Sequence, residues 1–386
     1  MDKKTKLIHP KRVTFSGSNR PLIDPIYRSV KYTFDSLEEA LADSHNDNFF
    51  EYSRDKNPTT FQLEKSCAEL QNRECAVATS SGMSAMWAAI LANIGSGDRV
   101  LLFYESYAPT RKMVRQKLSR LGVKFSIVSI QNEAEIENTF ALGDVKLVIY
   151  ESLTNPMLFI PNHDLIIKLA KKYHSKTILD NTFLGLHNNL ELEVDFFVHS
   201  LTKYANGHGD AMGGIIIGDK ENLNQVRDYA VSLGATPDPE ASYLILRGLK
   251  TYFVRYDIQS RTAQSIVNFL SNHKKVSKVY YPGKESQNFD QLIRHANQFG
   301  GIISFDLDVS EKELFKFCDD LNIFTTAASL GSVESLVSPA KLFFGKDLKA
   351  EELAIASIGS GTVRISVGME SEDDLISDLS QALDQL

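Results

Sequence analysis

From about residue 60 onward, the chain alternates short apolar runs with segments of helical periodicity, and this alternation most restricts the possible folds. Parallel strands need long crossover connections, which are usually helices. We therefore predict an α/β fold with a mostly parallel central sheet and helices on both faces. Strands are predicted at residues 75–79, 99–103, 124–128, 145–150, 177–179, 196–198 and 214–217, and helices at 61–70, 83–94, 111–121 and 164–173.

The pattern changes after about residue 240, where a long helical stretch at 241–270 leads into an α+β region. Further strands are predicted near 301–307 and 362–367, and a terminal helix at 372–386. The residues before about 50 lack a strong period, so we expect an arm that lies against a neighbouring subunit or its own chain. The predicted parts are an N-terminal arm at 1–55, a main domain at 56–240 and a smaller α+β C-terminal domain at 241–386.

Charge and composition argue against several classes of protein. A formal net charge of −7 disfavours nucleic-acid binding, which usually requires a basic face. No stretch approaches the ~18 consecutive apolar residues of a membrane span, and we predict no secretion signal. Three cysteines without a CxxC pair favour a reducing cytoplasm. His199 and His208 lack the spacing of a zinc site, so we expect no bound metal.

Three predicted loops at strand ends carry polar residues. Residues 79–83 (Thr-Ser-Ser-Gly-Met) lead into a helix, where unpaired N–H groups favour a phosphate, although a simple helix cap has the same pattern. Asp180 ends a buried strand at the edge where α/β sheets bind ligands, with a loop-capping role as the alternative. Lys203 follows another buried strand among small residues, which favours a Schiff-base nucleophile over a solvated lysine.

Together these loops describe one ligand. An aldehyde needs an amine, a protonated ring nitrogen needs a carboxylate, and a phosphate needs a helix N-terminus with hydroxyl groups nearby. Lys203, Asp180 and residues 80–83 supply these groups, with the hydroxyls of Ser200 and Thr202. The sequence therefore predicts that the chain binds pyridoxal 5'-phosphate (PLP), an electron sink whose pyridinium requires such a carboxylate.

The segment 200–208 (Ser-Leu-Thr-Lys-Tyr-Ala-Asn-Gly-His) resembles the central motif of the Cys/Met-metabolism family of PLP enzymes. The similarity extends from Pro25 to the last predicted helix. This family includes cystathionine γ-synthase, cystathionine γ-lyase, cystathionine β-lyase and methionine γ-lyase. The resemblance implies the aspartate-aminotransferase-like fold (fold type I) and a homotetramer built from catalytic dimers.

The resemblance also implies roles for individual residues. Lys203 would carry the cofactor, Asp180 would pair with the ring nitrogen, and Tyr107 would stack over the ring. Lys203 and Tyr107 would be the catalytic proton carriers. The phosphate would be held by Gly82, Met83, Ser200 and Thr202, and by Tyr52 and Arg54 of a second subunit. The substrate would be bound by Arg364, which clamps its α-carboxylate, and by Ser329, Asn155, Glu51 and Glu334. Asn155 would also contact the cofactor.

The chain also departs from the usual family pattern around the expected substrate entrance. Gly209 stands where many members have serine, and Ser332 replaces the second glycine of Ser-Leu-Gly-Gly. The stretch 341–344 (Lys-Leu-Phe-Phe) lacks the Met-Thr-His that many members carry there. These differences concern the substrate, whereas the cofactor residues match.

The expected reaction is that of a PLP-dependent carbon–sulfur lyase that cleaves cystathionine or a related L-amino acid. Glu51 and Glu334 resemble the acidic pair of cystathionine γ-lyases, which favours γ-elimination. The run 107–111 (Tyr-Ala-Pro-Thr-Arg) instead resembles bacterial cystathionine β-lyases. Two alternatives stay open: a cystathionine γ-synthase-type transferase that acts on an acylated homoserine, and a PLP-binding protein without turnover.

Overall fold

The computed structural model describes residues 18–44, 46 and 48–386, so residues 1–17 of the predicted arm lie outside the described residues. The strands are β1 (Cys75–Thr79), β2 (Arg99–Phe103), β3 (Lys124–Val128), β4 (Val145–Glu151), β5 (Lys176–Asp180), β6 (Phe196–Ser200), β7 (Gly214–Gly218), β8 (Val276–Tyr280), β9 (Ile302–Leu307), β10 (Thr325–Thr326), β11 (Leu336–Pro339) and β12 (Thr362–Ser366). The α-helices are α1 (Leu37–Asp43), α2 (Pro58–Leu70), α3 (Gly82–Leu91), α4 (Ala108–Gln116), α5 (Glu133–Phe140), α6 (His163–Tyr173), α7 (Lys220–Ser232), α8 (Pro239–Leu249), α9 (Tyr252–Ser271), α10 (Phe289–Leu292), α11 (Glu311–Asp319), α12 (Ala340–Phe344), α13 (Ala350–Ile355) and α14 (Glu372–Asp384).

The first seven strands form one sheet in the order β1-β7-β6-β5-β4-β2-β3. Strands β6, β5, β4, β2 and β3 pair in parallel, whereas β7 runs antiparallel to both β1 and β6. The reversal at β7 has a simple cause, because the connection 201–213, which is described throughout, contains no crossover helix. The predicted α/β fold with a mostly parallel central sheet is therefore confirmed.

Each face of this sheet is covered by its own apolar core. In β2, Leu101 and Phe103 pack into one cluster of buried residues, whereas Val100 and Leu102 pack into the other. This follows from strand geometry, in which alternate side chains point to opposite faces. Helices α2, α5 and α6 contribute to the first cluster, and helices α3, α4 and α7 contribute to the second. The prediction of helices on both faces is confirmed.

A second sheet follows in the order β10-β11-β12-β9-β8 and is antiparallel except for the β10–β11 pair. Its core includes Phe305 of β9, Phe317 of α11 and Leu379 of α14. The terminal helix predicted at 372–386 is confirmed as α14. The division of the chain at residues 55/56 and 240/241 stays a prediction.

Two helix predictions differ from the structure. The helix expected at 111–121 begins earlier, at Ala108, and ends at Gln116; a 3₁₀ turn at Leu118–Leu121 follows. The helical stretch expected at 241–270 is two helices, α8 and α9, with Lys250 and Thr251 between them. Gly248, near the end of α8, packs tightly against the loop that follows Lys203. A Cβ at Gly248 would lie 2.2 Å from the carbonyl oxygen of Asn206. Helices α5 and α7 were not predicted.

The connection between β1 and α3 is fixed by a backbone contact with β7. A Cβ built on Gly214 would lie 2.1 Å from the carbonyl oxygen of Ser81 and 2.7 Å from the amide nitrogen of Gly82. Both neighbours are backbone atoms, so neither can rotate away as a side chain would. The start of α3 can therefore approach β7 this closely only because residue 214 is a glycine.

We expect Gly214→Ala to reduce the free energy of unfolding by about 1–3 kcal/mol, because the added methyl group overpacks this contact. Gly283→Ala is the matched control, since a Cβ there would meet nothing closer than 3.9 Å. The control should change stability by less than about 0.5 kcal/mol. Urea unfolding of both variants measures the difference, and equal stability would contradict the contact described above.

Candidate active site

One cavity of about 260 Å³ lies at the carboxyl ends of the parallel strands. Strand β4 ends at Glu151, β5 ends at Asp180 and β6 ends at Ser200, and all three residues line the cavity. Carboxyl ends of parallel strands are where open α/β sheets bind ligands. Ten of the predicted site residues line the cavity: Gly82, Met83, Tyr107, Asn155, Asp180, Ser200, Thr202, Lys203, Ser329 and Arg364.

Lys203 lies in a turn directly after β6. Its amide donates to the carbonyl of Ser200 (3.2 Å), and its carbonyl accepts from the amide of Gly207 (2.8 Å). The side-chain Nζ donates to Oγ of Ser329 at 2.8 Å. Burial, followed by the nearby charge of Arg364, lowers the pKa of Lys203 to about 8. A neutral amine, the nucleophilic form of lysine, is therefore much more accessible than in a solvated lysine.

Asp180 is held by the residue two positions further along the chain. Its Oδ1 accepts from the amide (3.0 Å) and the hydroxyl (2.6 Å) of Thr182. Burial raises the pKa of Asp180, and the two hydrogen bonds oppose that rise. A buried carboxylate stays charged at low energetic cost only when a cation or donor faces it. Asp180 is thus suited to pair with a protonated nitrogen in the cavity.

Glu151 lies directly beside Asp180, because these residues pair across the β4–β5 ladder. Its carboxylate accepts from the backbone amides of Tyr107 and Asn155. Burial, and then the charge of Asp180, raise the pKa of Glu151 well above its usual value. Glu151 therefore fixes the backbone at two predicted site residues. The sequence analysis missed it, although its place at a strand end is the same signal that indicated Asp180.

The start of α3 forms a polar cradle at one end of the cavity. Ser81 caps the helix, with its Oγ accepting from the amide of Ser84 at 3.1 Å. The first N–H groups of a helix lack partners within it and carry a partial positive charge. Ser200 faces this helix start so closely that a Cβ on Gly82 would lie 2.9 Å from the Cβ of Ser200. The hydroxyls of Ser200 and Thr202 line the same cavity.

Arg364 lies in β12 of the second sheet and is only 2% exposed. It donates from Nη1 to Oδ1 of Asn155 (3.0 Å) and from Nη2 to the carbonyl of Ser329 (2.6 Å). Its Nε is buried without a hydrogen-bond partner among the described residues. Within residues 18–44, 46 and 48–386, no carboxylate forms an ion pair with Arg364. Burial lowers its pKa to about 10, so it stays cationic near neutral pH.

Tyr107 lies directly before α4 as its N-cap residue, lines the cavity and is 36% exposed. Burial is the main cause that raises its pKa, with smaller contributions from Asp180 and Glu151, and Arg364 opposes them. The phenol is therefore protonated near neutral pH.

The groups that line the cavity match the groups that PLP would present to them. The cavity joins a buried amine of lowered pKa, a carboxylate and a helix N-terminus with hydroxyls, which are the groups an aldehyde, a pyridinium and a phosphate require. Arg364 adds a cation to the wall of the same cavity. Lys203, Asp180 and the start of α3 are the residues that would hold the cofactor.

Four predicted residues lie outside this cavity. Tyr52 and Arg54 are exposed, and the guanidinium of Arg54 lies 5.2 Å from the centre of the Tyr52 ring. Glu51 and Glu334 are also exposed. Tyr52 and Arg54 were expected to act on a second subunit's cofactor, so their roles stay predictions. The roles of Glu51 and Glu334 also stay predictions.

The three departures from the family pattern also occupy different places. Gly209 is exposed, with no atom within 4 Å of a Cβ built on it, and Ser332 is buried away from the cavity. Phe344 lines the cavity. Of the three departures, only the stretch 341–344 therefore changes the cavity wall.

Comparison with known proteins agrees with this site. The family described as "Cys/Met metabolism PLP-dependent enzyme" matches residues 4–384. A cystathionine γ-lyase of Bacillus subtilis is 35% identical over 391 residues and covers 100% of both chains. A cystathionine β-lyase of Lactococcus lactis subsp. cremoris is 32% identical over 386 residues, with 99% of each chain covered.

A solved structure is similar as well. The putative O-acetylhomoserine (thiol)-lyase of Campylobacter jejuni superposes with a TM-score of 0.88 at 28% identity, covering 95% of this chain and 96% of that one. That structure contains N'-pyridoxyl-lysine-5'-monophosphate, a lysine joined to the cofactor. With the family match over nearly the whole chain and two relatives above 30% identity, the protein belongs to the Cys/Met-metabolism family of PLP-dependent enzymes.

Proposed function

We propose that the protein is a PLP-dependent carbon–sulfur lyase that cleaves cystathionine or a related L-amino acid by γ- or β-elimination. The observation that carries the proposal is a single cavity in which Lys203, Asp180 and Arg364 all line the wall. Bound PLP supplies an electron sink that stabilises a carbanion at the substrate Cα. The chain's own residues must then orient the substrate and move its protons.

Lys203 is the proposed base. Burial favours its neutral form, so an amine freed by the incoming substrate takes up the Cα proton readily. Its contact with Ser329 keeps Nζ on the side of the cavity where Arg364 also lies. The same amine can return the proton later in the cycle. For γ-elimination a second proton must leave from Cβ, and Lys203 or the protonated phenol of Tyr107 is the proposed carrier.

Arg364 is the proposed site for the substrate α-carboxylate. Two of its nitrogens are already bound by Asn155 and Ser329, so the guanidinium has a fixed orientation. Arg364 lines the cavity as a cation, so a substrate carboxylate there would gain a charge-assisted interaction with it. A carboxylate held there fixes the rest of the amino acid relative to Lys203. Asp180 would keep the cofactor ring nitrogen protonated by facing it with a negative charge.

A second subunit is part of the proposal. Tyr52 and Arg54 would reach the phosphate of a partner's cofactor, and a homotetramer of such dimers is proposed. Helix α1 supports an interface, because it contains no buried residue and Leu37 and Leu41 are strongly exposed. The described helices include none long and apolar enough to span a membrane. A cytoplasmic location is also proposed, supported by three cysteines that are free thiols.

The relatives support both γ-cleavage and β-cleavage, because one is named a γ-lyase and another a β-lyase. The runner-up is a transferase that acts on an acylated homoserine, and the name of the Campylobacter jejuni enzyme supports it. The cavity wall does not separate these reactions, because they share the cofactor, the base and the carboxylate site.

A product assay tests the reaction. With cystathionine supplied, we expect either 2-oxobutyrate with cysteine, from γ-cleavage, or pyruvate with homocysteine, from β-cleavage. Chromatography with mass detection of the thiols and oxo acids distinguishes these outcomes. If cystathionine is left intact but accumulates from cysteine and an acylhomoserine, the lyase proposal is wrong and the transferase is correct.

Lys203→Ala tests the cofactor attachment. The wild-type protein should lose its visible absorption on treatment with borohydride and keep the cofactor covalently on the peptide that contains Lys203. The variant should retain no covalent cofactor, and its turnover should fall at least about 100-fold because the base is lost. Lys250→Ala, which changes an exposed lysine, should behave like the wild type. Covalent cofactor in the Lys203 variant would refute the assignment.

Cofactor uptake should depend on pH in a defined direction. Attack on an aldehyde requires the neutral amine, and that form of Lys203 accumulates as the pH rises through about 8. The uptake rate of the apoprotein should therefore rise about tenfold per pH unit below that value and level off above it. Arg364→Met should move the midpoint upward, because the charge of Arg364 helps lower this pKa. Rapid-mixing absorbance measures both, and a wild-type midpoint near that of free lysine would count against burial of the amine.

A further inference from the structure

Phe344 packs against the guanidinium of Arg364, whose Cζ lies 4.0 Å from the centre of the ring. Both side chains are buried, with Phe344 5% and Arg364 2% exposed. Desolvated contacts of this kind are the strongest cation–π interactions. Guanidinium groups also prefer to stack flat on aromatic rings. Phe344 therefore covers one side of Arg364, which is the only arginine among the described residues that line the cavity.

The other contacts of Arg364 fix only part of its orientation. Hydrogen bonds from Nη1 and Nη2 hold one edge of the group, and Nε has no hydrogen-bond partner among the described residues. Those partners are an amide oxygen and a carbonyl, so neither neutralises the charge. A ring that lies over the guanidinium adds both electrostatic stabilisation and a steric limit on rotation of the plane.

Phe344 is itself held by a buried ion pair, here called the 111–347 latch, between Arg111 of α4 and Asp347. Nε and Nη2 of Arg111 donate to the two carboxylate oxygens of Asp347 at 3.0 and 2.8 Å. Nη2 also donates to the carbonyl of Phe344 at 2.7 Å. Arg111 is fully buried, so these bonds form in a setting where a bidentate pair is strong and specific.

The latch also reaches the loop that leads to Tyr107. Nη1 of Arg111 donates to the carbonyls of Tyr104 and Ser106. With these bonds all five N–H groups of the guanidinium have acceptors, which leaves no donor unsatisfied. The latch thus joins the Tyr107 loop to the backbone of Phe344 and sets where the ring lies.

We propose that Phe344 is a positioning residue for Arg364, and that the 111–347 latch places it. The inference rests on the proposed role of Arg364 as the carboxylate site. The ring keeps the guanidinium in the plane in which Arg364 lines the cavity. Without the ring the substrate would still react with the cofactor, but it would lose much of the affinity that comes from its α-carboxylate.

The test uses the PLP-loaded protein and two amine ligands that carry no leaving group for elimination, L-alanine and L-alaninamide. L-Alanine has a free carboxylate, and L-alaninamide does not. The change in cofactor absorption on titration gives a dissociation constant for each. Wild-type protein should bind L-alanine more tightly than L-alaninamide. Phe344→Leu should weaken binding of L-alanine about tenfold and change that of L-alaninamide less than about twofold.

Phe343→Leu is the matched control, because this neighbouring ring does not line the cavity and should leave both constants unchanged. If thermal unfolding shows that Phe344→Leu is unstable, Phe344→Met repeats the test with another apolar, non-aromatic side chain. Equal losses for both ligands would mean that Phe344 only packs the core, and the proposal would be overturned. Unchanged affinity for L-alanine would overturn it as well while leaving the role of Arg364 intact. If the wild type itself failed to distinguish the two ligands, the proposed carboxylate site would fail and Phe344 would lose its role with it.

Discussion

The site depends on parallel strands that end at the same sheet edge. Because β4, β5 and β6 run in the same direction, their last residues, Glu151, Asp180 and Ser200, are neighbours although they are far apart in sequence. The next strand returns antiparallel without a crossover helix, so the connection that carries Lys203 stays at this edge. The chemistry of the site is therefore a direct result of strand direction. Helix α3 begins at the same place because Gly214 lets the backbone approach.

Charge burial is the main energetic difficulty at this edge. Two carboxylates lie side by side, and two basic groups lie within the same cavity, where all four are buried or partly buried. The structure meets this cost with hydrogen bonds to neutral groups: Thr182 donates to Asp180, and Asn155 accepts from Arg364. Such bonds fix orientation without cancelling charge, which leaves the charges available to a ligand. Buried charged groups that are hydrogen-bonded but not paired with an opposite charge are typical of functional sites.

Sequence reasoning predicted most of the fold and most of the polar residues that line the cavity, because both depend on local signals. Buried strands appear as short apolar runs, and Lys203 and Asp180 follow such runs directly. The break between α8 and α9 was missed, although Gly248 near the end of α8 is a residue type that often marks the end of a helix. Helix α5 was missed although Asn132 caps it and its first turn is acidic, a signal that was present in the sequence. The place of Phe344 could not be found, since it depends on the ion pair of two residues 236 positions apart.

The 111–347 latch connects two walls of the site through one buried ion pair. Its arginine belongs to the segment that presents Tyr107, and its aspartate belongs to the segment that presents Phe344. An evolving chain therefore cannot remodel one wall while leaving the other untouched. Loss of either Arg111 or Asp347 would leave the other as an unpaired buried charge. We therefore expect positions 111 and 347 to change together among descendants of this protein. New substrate preferences are expected to emerge through coordinated replacement at both ends of the latch, with single changes selected against.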